Sequence, residues 1–270
     1  MQSNSNNVLE EDAVIAFYGI SPEQPALKDF YHQVTTWFTE LKCPPDKLSV
    51  HGSGFSGKPV SFSRVNTKLQ REGFFNVKGF SVFSLLPDAK IPMNDYSATA
   101  TYENDPESLY ALVCTKSSLA NLSDKLMLPI AQNIIHALKP VYGIGYNRER
   151  KFGPSLYAIG IGYGGEPLSG EAYEQALHRA RWGDLGMIRQ VYREGIIRDV
   201  YPWNFLTESH LEAKINNIPL QDWIQQDEQR GHLKLLSDGV WLWEVPEANI
   251  LTVRSTLWNA GIIFNWKNYL

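Results

Sequence analysis

The chain has 270 residues, 43% of them hydrophobic and 20% charged, with a formal net charge of −4. That is enough apolar mass for one large core or two modest ones. The slightly acidic balance argues against general affinity for nucleic acid, which depends on neutralising phosphates, and no window holds the roughly 18 apolar residues that a membrane span needs.

Residues 1–12 are rich in Gln, Ser, Asn and Glu and lack the basic start and apolar stretch of a signal peptide, so a disordered polar tail on a cytoplasmic protein is expected. Ala13 to Tyr18 reads as a β-strand. From Ala26 to Leu41 the residues Leu27, Phe30, Tyr31, Val34, Trp37, Phe38 and Leu41 fall at helical spacing, and Pro44 and Pro45 end the pattern. Strands are expected at Lys47–His51, Gly79–Leu86 and Tyr96–Glu103, with a short helix at Val65–Phe74. A similar order then returns. Leu109–Thr115 is a strand and Leu119–Leu138 a long helix that Pro129 kinks or breaks. Val141–Tyr146 and Leu156–Tyr163 read as an antiparallel pair around a polar tip. Residues 13–165 therefore form an α+β unit, with helices on one face of a largely antiparallel sheet and the strand–helix–strand order given twice.

Gly162, Gly164, Gly165, Pro167 and Gly170 mark a composition shift, taken as a boundary between two linked units. In the second, smaller α+β unit, 166–270, Glu171–Trp182 reads as a helix with Glu174 and Arg179 on its wet side, interrupted by Gly183 and Gly186. Ser237-Asp238-Gly239 between the apolar runs 233–236 and 240–245 is a strong hairpin signal. Pro246 and Glu247 introduce a helix carrying Ile250, Val253, Leu257 and Ala260 on one face and capped by Gly261, and Ile262–Trp266 reads as a last strand.

The motifs of chemistry are near misses. Gly52-Ser53-Gly54-Phe55-Ser56-Gly57-Lys58 spells the phosphate-loop consensus after a strand, but Pro59 stands where a hydroxyl must reach the metal ion. The same glycines spell Gly-x-Gly-x-x-Gly, yet residues 59–63 are a poor start for the helix whose N–H groups would hold a phosphate. The six histidines show no metal-ligand spacing, and Cys43 and Cys114 form no Cys-x-x-Cys pair, so they read as buried free thiols. No serine sits in a nucleophile elbow. No cofactor, no metal and no catalytic residue is expected, and hence no enzymatic activity.

One segment stands out by composition. Arg198-Asp199-Val200-Tyr201-Pro202-Trp203-Asn204-Phe205 puts charge, three aromatics and an amide into one stretch. Asp199, Tyr201 and Trp203, with Asp222 and Trp223 further on, suit a partner-binding surface of hot-spot composition, and their acids suit a basic protein partner. The alternative is structural: Trp203 and Phe205 plug the junction between the units, with Arg198 and Asp199 paired at its rim.

The run Arg198 to Ile224, with its Asp-Val-Tyr-Pro-Trp-Asn-Phe-Leu-Thr core and Leu220-Gln221-Asp222-Trp223-Ile224, together with Leu251 to Phe264, resembles bacterial immunity proteins of contact-delivered and polymorphic toxin systems. That resemblance covers the C-terminal third. It implies a protein partner, usually a toxin's catalytic domain, neutralised by occlusion. The repeated strand–helix–strand order resembles instead the small-molecule-binding domains of the gyrase-inhibitor-like group, and implies an aromatic cleft lined by Tyr142, Tyr146, Tyr157 and Tyr163.

Overall fold

The computed structural model describes residues 10–21, 24–87, 89, 95–106, 108–162 and 171–270. In chain order its elements are β1 (Glu11–Tyr18), α1 (Gln24–Glu40), β2 (Lys47–Gly52), β3 (Val60–Ser61), α2 (Phe62–Glu72), β4 (Val77–Leu85), β5 (Tyr96–Asp105) and β6 (Ser108–Lys116). Then follow α3 (Met127–Leu138), β7 (Tyr142–Glu149), α4 (Pro154–Ala158), α5 (Glu171–Arg181), β8 (Trp203–Leu206), α6 (Glu208–Leu211), β9 (Lys214–Ile215) and β10 (Ile218–Pro219). The chain ends with α7 (Leu220–Gln225), β11 (His232–Ser237), β12 (Val240–Glu244) and α8 (Ile250–Asn259).

The fold is α+β. Ten strands form one antiparallel sheet in the order β11-β12-β8-β7-β1-β6-β5-β4-β2-β3, and β9 and β10 pair separately. The strands of the C-terminal third thus extend the sheet begun by the N-terminal part, joined where β7 pairs with β8 through Gly143↔Phe205 and Gly145↔Trp203. At the centre lies β1, whose residues from Ala13 to Tyr18 are wholly buried. It carries apolar side chains on both faces because both faces are covered. Ala13, Ile15 and Phe17 pack with α1 and α3, the helices expected on one face. Val14, Ala16 and Tyr18 face a second layer built from α4 and the chain beyond α5.

The α1 pattern holds, with Leu27, Phe30, Tyr31, Val34, Trp37 and Phe38 all buried. Cys43 and Cys114 are buried free thiols. The hairpin is present too: Asp238 and Gly239 have φ of 51° and 75°, the two left-handed positions of a type I′ turn.

Other expectations are corrected. The helix starts at Met127 rather than Leu119, and Pro129, its third residue, sits in the first turn, where an N–H is not needed and no kink follows. Upstream, the Asp124 carboxylate accepts from the Asn121 N–H and the Asn121 side chain from the Ser123 N–H, holding turns instead of helix. Residues 156–158 belong to α4, not to a strand: Gly153 takes a left-handed φ and Pro154 supplies the first helical residue. Residues 262–266 form no strand beyond a single parallel bridge, Ile197↔Ile263, before a 3₁₀ turn at Trp266–Tyr269. Arg179 is buried, not on a wet face. The helix interrupted at its glycines continues from α5 into a π-type turn, Trp182–Met187. The glycine cluster at 163–170 lies outside the described residues, as do residues 1–9 of the polar tail.

Candidate functional site

The loop with the phosphate-binding spelling is a hairpin connection. Gly57 N–H donates to Val50 O and Phe55 N–H to Gly52 O, while the Ser49 hydroxyl donates to Gly57 O. Residues 60–61 return as β3 beside β2. The short helix expected from Val65 does follow, but it begins earlier, at Phe62, whose N–H is already given to Asp46 O. The N–H groups of Phe55 and Gly57 are thus engaged within the hairpin, and that of Lys58 on the Ser56 hydroxyl, rather than turned to a phosphate.

Of the residues singled out by composition, the aromatics turn inward and the acids outward. Trp203 lies in β8 and is buried in the α1/α3 core beside Phe205, with ring centroids 6.1 Å apart. Trp223 is buried under the Arg230 guanidinium, 4.3 Å from its ring centre. Tyr201 is buried with its hydroxyl 3.1 Å from that of Tyr157. Asp199 is half-buried and pairs with Arg254 at 2.7 Å, not with Arg198. Asp222 is exposed at the start of α7.

Arg198 departs furthest from its expected place. Its guanidinium is 1% exposed and donates to the carbonyls of Ala158 and Tyr157, at 2.8 Å each, and to the Tyr18 hydroxyl. It lies 4.5 Å from the centre of the Tyr157 ring, whose distance to the Arg148 guanidinium is 4.3 Å. The charge is thus held by carbonyl dipoles and a ring face. Its backbone N–H donates to the Tyr142 hydroxyl oxygen, and its carbonyl faces His178 Nε2 at 3.1 Å. Burial pushes the His178 pKa below its usual value despite the nearby Asp199 carboxylate, and a neutral His178 donates Nε2–H to that carbonyl.

Over this buried arginine opens a cleft of about 750 Å³, walled by the end of β7 and α4 on one side and by α5, α8 and the C-terminal turn on the other. Tyr157, Tyr201, Phe152, Trp258 and Trp266 line it, with His178, Asp199, Arg254 and Lys267 among its polar groups. The α8 sequence explains the wall. Val253 and Leu257 turn into the core, whereas Leu251, Arg254, Ser255 and Trp258, spaced i, i+3, i+4 and i+7, face the cleft. Leu251 is 78% and Trp258 41% exposed. Of the tyrosines expected in an aromatic cleft, Tyr157 lines it and Tyr146 an adjoining hollow; Tyr142 is core, and Tyr163 falls outside the described residues. The cleft gathers 148–157, 175–179, 199–201 and 250–267; local composition marks only Asp199 and Tyr201, and the pair Leu251 and Trp258 on the outer side of α8 is the other available signal.

Neither a comparison with protein families nor one with curated proteins finds a match. Structural neighbours include the Pseudomonas aeruginosa T6SS protein PA0821, which superposes with a TM-score of 0.57 at 9% identity over 94% of this chain and 73% of that one. At that identity the likeness is one of fold. A chain from the complex of the toxic C-terminal tip of CdiA from P. aeruginosa with its immune protein also aligns, over 51% of this chain and 86% of that one, at 15% identity. Its TM-score of 0.22 is too low to argue a shared fold.

Among the described residues no group of three or more His, Cys, Asp or Glu side chains could hold a metal ion, and no helix is long and apolar enough to cross a membrane. One buried polar cluster lies away from the cleft. Asp12, 1% exposed, accepts from Arg150 Nε at 3.2 Å and Nη2 at 2.9 Å, while Cys114 Sγ is 3.8 Å from its other oxygen. Arg150 Nη1 donates to Tyr96 O, and the Tyr96 hydroxyl bonds Ser155. Burial pushes the Cys114 thiol well up, the neighbouring Asp12 adding to it, so the thiol stays protonated and inert. The cluster ties the ends of β1 and β5 to the turn after β7.

Proposed function

We propose that the chain is a non-catalytic cytoplasmic protein that neutralises a bacterial toxin by covering the toxin's catalytic domain. The observation that carries this reading is Leu251, the most exposed apolar residue of α8, which stands between the cationic cleft and a group of carboxylates beyond the start of the helix. Glu247 shares a shallow hollow with Leu251 and Pro202. Glu228 and Glu244 are exposed nearby: Asn249 Nδ2 donates to Gln229 O, which fastens the Glu228–Arg230 turn to the start of α8, and Gly231 packs on the Glu244 carbonyl. Asp222 extends the acidic side beyond the Arg230–Trp223 stack. An apolar anchor with an acidic flank suits a basic protein surface, for which charge steers encounter and the apolar contact holds the complex. Similarity of fold to a T6SS protein over nearly the whole chain supports the same reading.

The test is co-expression with each candidate toxin domain encoded by the genes flanking this one. The chain is expected to protect the host and to co-elute with the domain. Leu251→Asp and Glu247→Lys should each weaken the complex, Leu251→Asp by about 2 kcal/mol or more if it is the central anchor. A toxin that kills equally with and without the chain, and forms no complex with it, would overturn the reading.

A further inference from the structure

We propose that the cleft over Arg198 is a binding site for a small planar aromatic anion, an inference that goes beyond partner occlusion and does not depend on it. Its volume of about 750 Å³ lies within the range of roughly 300–1,000 Å³ typical of small-molecule sites. Trp258, 41% exposed on the wall of the cleft, is flanked by the His178 ring at 6.2 Å and the Arg254 guanidinium at 5.8 Å and leaves the rest of its flat apolar surface open to a ligand.

The anionic preference comes from two cations at this wall. Arg254 gives its Nε to Asp199, which positions the guanidinium 5.8 Å from the centre of the Trp258 ring. Lys267, exposed at the mouth and 5.6 Å from the centre of the Trp266 ring, forms no ion pair with a carboxylate among the described residues. Asp199 is the one carboxylate lining the cleft among the described residues, and Arg254 already answers it. A ring stacked on Trp258 therefore places an attached carboxylate or phosphate near Lys267, Arg254 and the exposed Ser255 hydroxyl. Beneath the cleft, the Tyr157–Tyr201 hydroxyl pair, the His178–Arg198 contact and the buried Arg198 network hold the lining side chains in place.

Two sources supply this chemistry, aromatic carboxylates and nucleoside monophosphates. Calorimetric titration of the full chain separates them, with indole-3-acetate and AMP as the two probes and inorganic phosphate and adenosine as halves lacking the ring or the charge. At least one complete probe is expected to bind saturably with a Kd below about 1 mM, at least tenfold tighter than either half. Lys267→Gln and Trp258→Leu should each weaken it about tenfold or more. Both side chains are exposed, and Ser255→Glu, which sets a like charge at the mouth, provides a second exposed site should either variant lose its fold. Binding of neither complete probe, binding of phosphate alone as tight as either, or binding unchanged in Lys267→Gln and Ser255→Glu would each overturn the proposal.

Discussion

Replacing Arg150 by Met should destabilise the protein strongly at neutral pH and much less in acid. Arg150 makes two hydrogen bonds to a carboxylate that is 1% exposed and a third to Tyr96 O at 2.7 Å, and its own side chain is only 15% exposed. Breaking a buried pair by removing one partner costs about 3–5 kcal/mol, because the other charge stays behind without compensation. We expect about 3 kcal/mol, since the Asp12 carboxyl can escape by taking up a proton. Burial already pushes its pKa up, against the pull of Arg150, so loss of the arginine pushes it further. The native variant then binds a proton that the unfolded chain, near 3.8, does not hold. Its stability rises relative to the parent as pH falls from the raised folded value toward the unfolded one. Asp12→Asn in the same chain removes the stranded charge and should recover roughly half of the loss or more. Urea unfolding of the parent, both single variants and the double variant at pH 7.5 and 5 completes the cycle. A loss under about 1 kcal/mol for Arg150→Met, no pH dependence, or no recovery in the double variant would refute this account.

Trp203→Ala removes a buried aromatic and should cost about 3–5 kcal/mol; a variant of unchanged melting temperature would show that the ring is not core. Gly239→Val meets no atom within 4 Å but must adopt φ 75°, so strain alone should cost about 1–3 kcal/mol. Gly231→Ala should cost more, because its Cβ would also fall 2.0 Å from Glu244 O; denaturant midpoints that rank the two the other way would contradict this. Acid should weaken the fold through His210, whose pKa burial lowers to about 4. Thr207 N–H donates to His210 Nδ1 and the ring stacks on Tyr142, so the neutral form belongs to the folded state. The unfolded chain binds the extra proton below about 6.5, and stability is lost as pH falls from there toward 4. Between pH 7 and 4.5 the parent should lose roughly 2 kcal/mol more than His210→Gln; equal losses would exclude the histidine as the cause.

Where local pattern and tertiary environment agree, the sequence foretold the structure. Residues 26–41 bury every apolar position of their helical stripe, and Ser237-Asp238-Gly239 turns as its residue types demand. The misreadings share a physical origin. Residues 156–163 are apolar enough for a strand, but the Gly153-Pro154 start commits 154–158 to a helical turn. Residues 203–206 form only four residues of strand between a loop and α6, and Asn204 interrupts the apolar run. That amide is nonetheless wholly buried, because its side chain bonds the backbone of Tyr201 and Trp243. The candidate site was legible in part. Asp199 and Tyr201 do line a cleft, but its other walls, from 148–157, 175–179 and 250–267, depend on segments distant in the chain meeting in space, which no local spacing records.

The central place of β1 bears on how the protein is made. Both neighbours of this strand, β6 and β7, come from residues 108–149. On a ribosome adding about 5–20 residues per second, an apolar strand with two open edges would wait on the order of 5–20 seconds for its first partner. Such non-local pairing slows folding, and an exposed apolar edge invites association with other chains. We therefore expect refolding slower than for a helical protein of this size, and a need for chaperones or low temperature when the chain is overproduced. Asp12 sits at one end of that strand, as a buried charge useful only once Arg150 has arrived. Until then it keeps the waiting segment from being wholly apolar, a charge of the kind that guards against premature pairing.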